Sequence, residues 1–554
     1  MYCTVVVYSL CLFFLLVCFL WNRWMALPWI LENPVSPRLT ILFMVCETFI
    51  LILGWWNISV LVMGTMSRWV KGIHEKNRIT IHDVKDLPHV LIIIPTYNES
   101  MDVLKRTLEH VMRVRYPSDK KTVVIGDDGK RRSMKILARR FQGCIYHTRQ
   151  TIVGHAKAGN VNDILVATDR SGNRLYEGSL VLILDCDMAP EPDILENLVP
   201  LLYDSEGGNV QRNNRCAFIQ SPQTFCNIRG LDFLGQHYRF FYNVVMPAYS
   251  GFQQGVPCCG TNVLFDREIL GTIGNMQYGS VTEDFNTSMR LHSEGYISRY
   301  YTGRTAVGLA PMSLVDFFHQ RQRWTIGGLQ IVFTTPSYRQ AFWKLPWIHR
   351  WIYGFSGASC ITSVVMMFLL LTPFLDYFGI SLFFSTMSTK TYVYSFVPYA
   401  VVYALSLVWL TYFMDVPTFL VTVFESIFMV PYQLYYTVHF FARYLLGFQH
   451  IRFRSWGRQN IRFTITPKTE TKIEISKILH TVYLLSPFLV YIGLGLYCII
   501  TNRYDESRYF IDLLWMSFVM LQFSFPILYM LENSIPSFQW RSSPPPTDTE
   551  ADAV

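Results

Sequence analysis

Charge is what this sequence has least of: Asp, Glu, Lys and Arg together make up 16% of its 554 residues, while 51% are hydrophobic. Soluble domains carry about 25% charged residues, so a wholly soluble chain of this size is excluded. The 12 cysteines form no C-x-x-C pair, and Cys3, Cys11, Cys18, Cys46, Cys360 and Cys498 lie in or beside apolar runs. They read as reduced filler, which argues against a zinc module or a disulfide framework. There is no G-x-G-x-x-G loop, so the common dinucleotide fingerprint is missing. The first apolar run, residues 5–21, has no basic segment before it and no small-residue cleavage site after it. An uncleaved membrane helix is expected there rather than a signal peptide.

The apolar residues come in blocks around a middle third, about residues 82–340, that has the composition of a globular domain. Membrane spans are expected at residues 5–21, 39–63, 351–375, 399–413, 479–500 and 513–531, about six in all, with an amphipathic, interfacial stretch over 416–446. Arg68, Lys71, Lys76 and Arg78 follow the second span. Basic flanks favour the cytosolic side, so the N-terminus and the middle domain are expected inside. The loop with Arg443, Arg452, Arg454, Arg458, Arg462, Lys468, Lys472 and Lys477 falls on that side too. These flanks explain the formal net charge of +8, and no nucleic-acid partner is expected. The resulting division is residues 1–65 as two N-terminal transmembrane helices, 66–345 as a cytosolic domain, and 346–415 as a transmembrane hairpin. Residues 416–475 follow as interface helices and a loop, 476–533 as a second hairpin, and 534–554 as a short acidic, disordered tail.

In the middle domain, V-L-I-I-I-P (90–95) is a continuous apolar run ended by proline, as in a buried parallel strand. Two further strands are expected at 122–126, running into Asp127-Asp128-Gly129, and at 180–184, running into Asp185-Cys186-Asp187. Each delivers polar residues at its carboxyl end, where open α/β sheets bind ligands. Two carboxylates leaving a strand, Asp185 and Asp187, suit a hard divalent cation held against a diphosphate; a D-x-D string alone often means only a turn. Between these strands G-H-A-K-A-G-N-V-N surrounds Lys157 with small residues, a loop that brings backbone N–H groups and a cation near phosphate. Its plainer reading is a flexible loop.

The stretch 281–324 opens with V-T-E-D-F-N-T-S and closes with H-Q-R-Q-R-W. Asp284 is an acid able to take a proton from an attacking hydroxyl. Arg323 is a planar donor suited to a leaving diphosphate, and Trp324 offers a face for a sugar ring. Each also has a bland alternative: Asp284 as the cap of a helix starting at Phe285, and Arg323-Trp324 as a surface cation–π pair.

With D-D-G, H-A-K-A-G-N, D-C-D, C-C-G-T, T-E-D, Q-R-Q-R-W and F-T-I-T-P-K in this order between about residues 90 and 468, the chain resembles the processive, membrane-embedded GT-A glycosyltransferases. Among them it is most similar to cellulose synthases, and more distantly to curdlan, chitin and hyaluronan synthases. The resemblance implies an α/β GT-A (Rossmann-like) cytosolic domain inserted between transmembrane helices. It implies that Thr96, Tyr97, Glu99 and Asp127 hold uridine and ribose, and that Lys157 touches the diphosphate. Asp185 and Asp187 would coordinate Mg2+ or Mn2+, Asp284 would be the general base, and Glu283 would shape the site. Cys259, Gly260 and Thr261 would line the acceptor pocket. Gln320, Arg323 and Trp324 would clamp the diphosphate and stack the acceptor sugar, while Phe463, Thr466 and Lys468 would close over the bound donor.

The function so implied is polymerisation of glucose from UDP-glucose into a β-glucan, β-1,4 first, with export through the chain's own channel at the plasma membrane. One base opposite a metal-bound leaving group means a single displacement, hence inversion. A β-1,3 or mixed-linkage glucan keeps every motif; hyaluronan or chitin synthesis is disfavoured because Phe285 follows T-E-D where those relatives look to carry arginine. A transporter or channel with a degenerate domain is the rival from another class, and the retained charges argue against it. The partners implied are UDP-glucose, the growing glucan and the lipid membrane; a homo-oligomer or accessory export proteins stay open. With about 20 residues after the last span, no PilZ domain is expected in this chain.

Overall fold

The computed structural model describes residues 2–32, 37–70, 79–150, 155–206, 209–228, 238–252, 255–311, 314–334, 338–380, 387–412, 427–445, 475–501 and 510–534. Two long helices open the chain, α1 (Tyr2–Trp24) and α2 (Pro37–Val70). The middle domain is built on a seven-stranded sheet of β1 (Val90–Thr96), β2 (Lys121–Asp127), β3 (Cys144–His147), β4 (Leu180–Ile183), β5 (Cys216–Gln220), β6 (Val263–Asp266) and β7 (Ile297–Tyr300). Their spatial order is β7-β5-β6-β4-β1-β2-β3. β1 pairs in parallel with β2 and β4, and β2 with β3, while β6 runs antiparallel to both β4 and β5. The three expected strands are thus the centre of a larger, mixed sheet. The antiparallel β6 follows C-C-G-T, which its polar flank hid from the apolar-run signal.

Every residue of β1 is buried, because helices cover both faces of the sheet. Val90, Ile92 and Ile94 pack with Leu104, Leu108 and Val111 of α3 (Met101–Met112) on one side. Leu91 and Ile93 pack with Ala158, Val161, Ile164 and Leu165 on the other. Helix α3 starts where Ser100 accepts a hydrogen bond from the Val103 N–H at 3.4 Å, and it buries Leu104, Thr107, Leu108 and Val111, the 3.6-residue stripe of a half-buried helix. A short helix α4 (Arg132–Ala138) follows β2.

The Lys157 segment departs from expectation. It forms helix α5 (Ala156–Val166), not a loop. The small residues let the helix press on the sheet: a Cβ on Gly126 of β2 would meet Asn160 Oδ1 at 2.2 Å, and Asn160 Nδ2 donates to the Gly126 carbonyl at 2.6 Å.

After the sheet come α6 (Met246–Ser250), α7 (Glu283–Ser293) and α8 (Leu314–Phe333), then α9 (Trp347–Tyr377), α10 (Thr389–Leu410), α11 (Val430–Phe440), α12 (Ile475–Thr501) and α13 (Phe510–Ser534). Among the described residues three helices are long and apolar enough to cross a membrane, 7–32, 37–70 and 389–410, with shorter apolar helices at Ile361–Tyr377 and Leu485–Thr501. Each overlaps a stretch where a span was expected, with 389–410 beginning ten residues before the expected 399–413. In the amphipathic stretch, α11 buries Tyr432, Tyr436 and Phe440 against Phe317 and Phe318 of α8 and Phe488 of α12.

The domain is tied to these helices at two points. Gly64 of α2 crosses α6 so closely that a Cβ there would meet the Ala248 carbonyl at 2.1 Å, and one on Gly251 would meet the Gly64 carbonyl at 2.0 Å. Ser67 Oγ donates to the Gly251 carbonyl at 2.8 Å. The second tie is α8, which holds H-Q-R-Q-R-W and whose Phe317, Phe318, Ile326 and Leu329 sit in the core formed with α9, α11 and α12.

Candidate active site

The site lies at the carboxyl ends of β1, β2 and β4, closed by the loop before β6 and by the first turn of α7. Helix α7 begins at Glu283 with Thr282 in the capping position, so Glu283 and Asp284 both stand in the first turn, where the helix dipole favours carboxylates. Asp284 Oδ1 accepts from the Phe285 N–H at 2.8 Å, but the rest of the carboxylate faces Gly260. A Cβ on Gly260 would lie 2.7 Å from Asp284 Oδ2 and 3.6 Å from Lys157 Nζ, and Gly260 has φ +85°. Both the conformation and the approach require glycine there.

Lys157, in the first turn of α5, donates from Nζ to Asp185 Oδ1 and to the Gly260 carbonyl at 2.7 Å. Asp185 is fixed in turn by its backbone N–H, which donates to Thr261 Oγ1 at 2.9 Å. Beyond the strand the chain turns, the Met188 N–H donating to the Asp185 carbonyl at 3.0 Å; in this turn Cys186 is buried in the core, while Asp185 and Asp187 are half-buried. Two oxygen-donor side chains in one turn fit a hard cation that keeps waters and ligand oxygens as its other partners. No cluster of three metal-binding side chains occurs among the described residues, so such an ion would depend on the ligand to complete its shell.

The T-E-D loop is docked onto α8. Ser280 Oγ donates to the Gly327 carbonyl at 2.9 Å, the Val281 N–H donates to Gln330 Oε1 at 2.9 Å, and a Cβ on Gly327 would meet Thr282 Oγ1 at 2.4 Å. The acid loop and the basic helix therefore form one unit. Burial lowers the pKa of Arg323, and the charges of Glu283, Tyr238, Asp185 and Asp284 partly offset that. Among the described residues the cation over Trp324 is Arg321, 4.6 Å from the ring centroid. Trp324 is 40% exposed, edge-on to Tyr238 with centroids 6.0 Å apart, and the Tyr238 hydroxyl hydrogen-bonds Gln320 Oε1.

Thr96, Tyr97 and Glu99 form a second group at the end of β1. Glu99 Oε2 accepts from Thr96 Oγ1 at 2.7 Å and from the Tyr97 N–H at 2.8 Å, and the Tyr97 side chain stands exposed. Asp127 has a set of partners of its own. It is fully buried, and its oxygens accept from Gly129 N–H, from the Arg131 backbone and guanidinium, and from the Tyr146 hydroxyl at 3.0 Å. It thereby holds Arg131, whose Nη2 also donates to Thr96 Oγ1 at 2.8 Å and whose Nη1 donates to the Glu99 carbonyl. Sequence reasoning missed Arg131, Tyr146 and Tyr238. Arg131 lies four residues beyond Asp127, a one-turn spacing open to notice; the tyrosines carry no local signal.

Cys259 and Thr261 are tied back by Gln220, which accepts from the Cys259 N–H at 2.8 Å through Oε1 and donates to the Thr261 carbonyl at 2.9 Å. Burial, with Asp284 nearby, pushes the Cys258 and Cys259 thiols up, so neither is a ready nucleophile. Phe463, Thr466 and Lys468 lie outside the described residues.

The pocket is rich in negative charge. Burial first, and Asp284 second, push Glu283 up to about 7, and burial also raises Asp284. Burial works against the charge of Lys157, but Asp185, Glu283 and Asp284 outweigh it and its pKa rises. Because the folded-state value for Glu283, about 7, exceeds its ordinary 4.5, the folded protein holds this proton more tightly than the unfolded chain. Its contribution to stability is full below pH 4.5 and is lost as pH rises through 7. Glu283→Gln should flatten that decline in a thermal-unfolding series of the ligand-free protein between about pH 5 and pH 8. An unchanged slope would show that Glu283 is not the group responsible.

Residues 180–441 match the model for glycosyl transferase family group 2. The chain is 37% identical over 221 residues to a UDP-forming cellulose synthase catalytic protein of Dictyostelium discoideum, covering 39% of this chain and 19% of that protein. It is 31% identical over 257 residues to the UDP-forming cellulose synthase catalytic protein of Komagataeibacter sucrofermentans, covering 45% and 32%. The matches thus span between about a fifth and a third of these relatives' length. A mannosyltransferase from Pyrobaculum calidifontis, solved with GDP-Man and Mn2+, aligns with a TM-score of 0.44 and 16% identity over 74% of this chain and 99% of that one. The chain is thus similar over residues 180–441 to glycosyl transferase family group 2, and over part of its length to UDP-forming cellulose synthases.

Proposed function

We propose that this chain is a processive, inverting glycosyltransferase that polymerises glucose from UDP-glucose into a β-1,4-glucan and passes the polymer across the plasma membrane between its own helices. The observation that carries the reading is the meeting of Asp284, Lys157 and Asp185 around Gly260, on a loop locked to a helix that is itself part of the membrane-side core.

In this reading Thr96, Tyr97 and Glu99 hold the nucleoside, with Asp127 and Arg131 bracing them from behind. Lys157 and Arg323 face the diphosphate. A divalent cation, Mg2+ or Mn2+, held by Asp185 and Asp187 would neutralise charge on the leaving UDP. Asp284 takes the proton from the acceptor hydroxyl as that oxygen bonds to the anomeric carbon and the bond to UDP breaks. One displacement converts an α-linked donor into a β-linkage. Trp324, backed by Arg321, gives the acceptor sugar an apolar face, and the acceptor lies against Cys259 and Gly260. The catalytic domain is cytosolic, and α8 leads the polymer behind the acceptor sugar to the membrane helices.

The test is incorporation of labelled UDP-glucose, against UDP-N-acetylglucosamine and UDP-glucuronate, by the purified protein in detergent, with the product digested by linkage-specific β-glucanases. A polymer made from UDP-glucose and cut by β-1,4-endoglucanase is expected. A polymer cut only by a β-1,3-glucanase would keep the chemistry and change the linkage. Excess chelator should stop synthesis and added Mg2+ or Mn2+ restore it; full activity in chelator would remove the role given to Asp185 and Asp187. No polymer from any donor would overturn the reading in favour of a non-catalytic transporter.

A further inference from the structure

Beneath the T-E-D turn lies a buried polar chain that the transfer step does not use. His292, in the last turn of α7, is 1% exposed, with Nδ1 2.8 Å from the Tyr353 hydroxyl and Nε2 3.2 Å from Ser298 Oγ. Ser298, on β7, donates its hydroxyl to the Val256 carbonyl at 2.8 Å and accepts from the Val256 N–H at 2.7 Å. Its one proton is thus committed, so towards His292 it can only accept. His292 therefore carries its proton on Nε2, leaving Nδ1 bare, and Tyr353 must be the donor to it. The ring of His349 stacks on His292 at 4.0 Å, with Nε2 3.4 Å from the Gly255 carbonyl. Burial first, then His349, holds His292 well below its usual range and hence neutral.

The chain joins three parts. Val256 begins the segment that leads to Cys259 and Gly260; His292 belongs to the helix that carries Asp284; Tyr353 is on α9, the first membrane-side helix after the domain. Tyr353 also touches the base end of α7 directly, since its fully buried ring meets Phe285, next to Asp284, edge-on at 4.8 Å. The contact between Asp284 and Gly260 is set by the spacing of α7 and this segment, and the Tyr353–His292–Ser298 chain spans both.

We propose that Tyr353 is a positioning residue for sugar transfer: its hydroxyl, donated to His292, holds α7 in register with the Gly255–Gly260 segment and so keeps Asp284 at the acceptor. The proposal rests on the transferase reading above. It implies that α9 and the catalytic carboxylate move together, so a shift in the membrane-side helices alters turnover before donor binding.

Tyr353→Phe keeps the ring against Phe285 and removes only the hydroxyl. In the full-length protein in detergent, turnover with UDP-glucose should fall about tenfold, as a small misplacement of a base does, while KM for UDP-glucose and the affinity for UDP stay within about twofold. His292→Gln should act in the same direction, and the double variant should be no worse than the weaker single one, since both cut one chain. Amide exchange over residues 283–289 should speed up in both variants, a readout that needs no activity. Turnover of Tyr353→Phe within about twofold of the wild type would overturn the proposal, as would equal losses in turnover and UDP affinity, which mark general damage. If the wild type makes no polymer from any donor, the transferase reading fails; unchanged exchange over 283–289 then overturns the positioning chain by itself, and faster exchange sustains it.

Discussion

Asp284→Asn is expected to cut polymer formation by about 10²–10⁴-fold while leaving the affinity for UDP nearly intact. Asparagine keeps the shape of the side chain, and its carbonyl can still accept from the Phe285 N–H, as Asp284 does at 2.8 Å. It cannot take a proton. The groups offered for the nucleoside, Thr96, Tyr97 and Glu99, are held by Arg131 and by one another, with no bond to Asp284. Lys157 keeps both its acceptors, Asp185 and the Gly260 carbonyl. Loss of turnover with UDP binding preserved, read by calorimetry alongside polymer yield, is the expected pair of results. Normal polymer from this variant would remove Asp284 as the base, and Glu283, the other carboxylate in the same turn, would take its place in the test.

Gly260→Ala should be nearly as damaging without touching an ionisable group. Its φ of +85° is strained for any L side chain, and the new methyl would stand 2.7 Å from Asp284 Oδ2. Carbon and oxygen cannot share that distance, so the carboxylate must move by several tenths of an ångström or the loop must shift and drag the Lys157 contact with it. Misplacement on the scale of about 1 Å costs about 10²-fold in rate. Gly274→Ala is the control: its φ is +83°, yet nothing lies within 4 Å of the added carbon. It should lower the stability by the strain alone, about 1–2 kcal/mol, and leave polymer yield per folded molecule unchanged. If both variants lose stability to the same degree and neither loses turnover, the close approach of Asp284 to Gly260 is not part of the active geometry.

Much of this was open to reading from residues alone. V-L-I-I-I-P marks a strand because a run of buried positions needs both faces covered, and the strand stands at Val90–Thr96. D-C-D marks the end of an apolar strand, Leu180–Ile183, where the chain turns and leaves Asp185 and Asp187 less buried than the Cys186 between them. The apolar blocks announced helices at the expected places because a membrane-length run has few other uses. Where local reading misled, the cause is identifiable. G-H-A-K-A-G-N looked like a loop because small residues favour turns, yet in this fold they let α5 lie close on Gly126.

The residue types of the site, an acid, a lysine, a carboxylate pair, an arginine and an indole, are determined by the sequence, since chemistry needs those groups and motif order names them. Their partners are not. That Asp127 meets Arg131 and Tyr146, that Arg321 covers Trp324, and that Tyr353 reaches His292 from 61 residues away were decided by tertiary structure. A hydrogen bond acts over about 3 Å, while sequence spacing fixes distance only within one turn or one strand; beyond that, packing alone chooses which donor meets which acceptor.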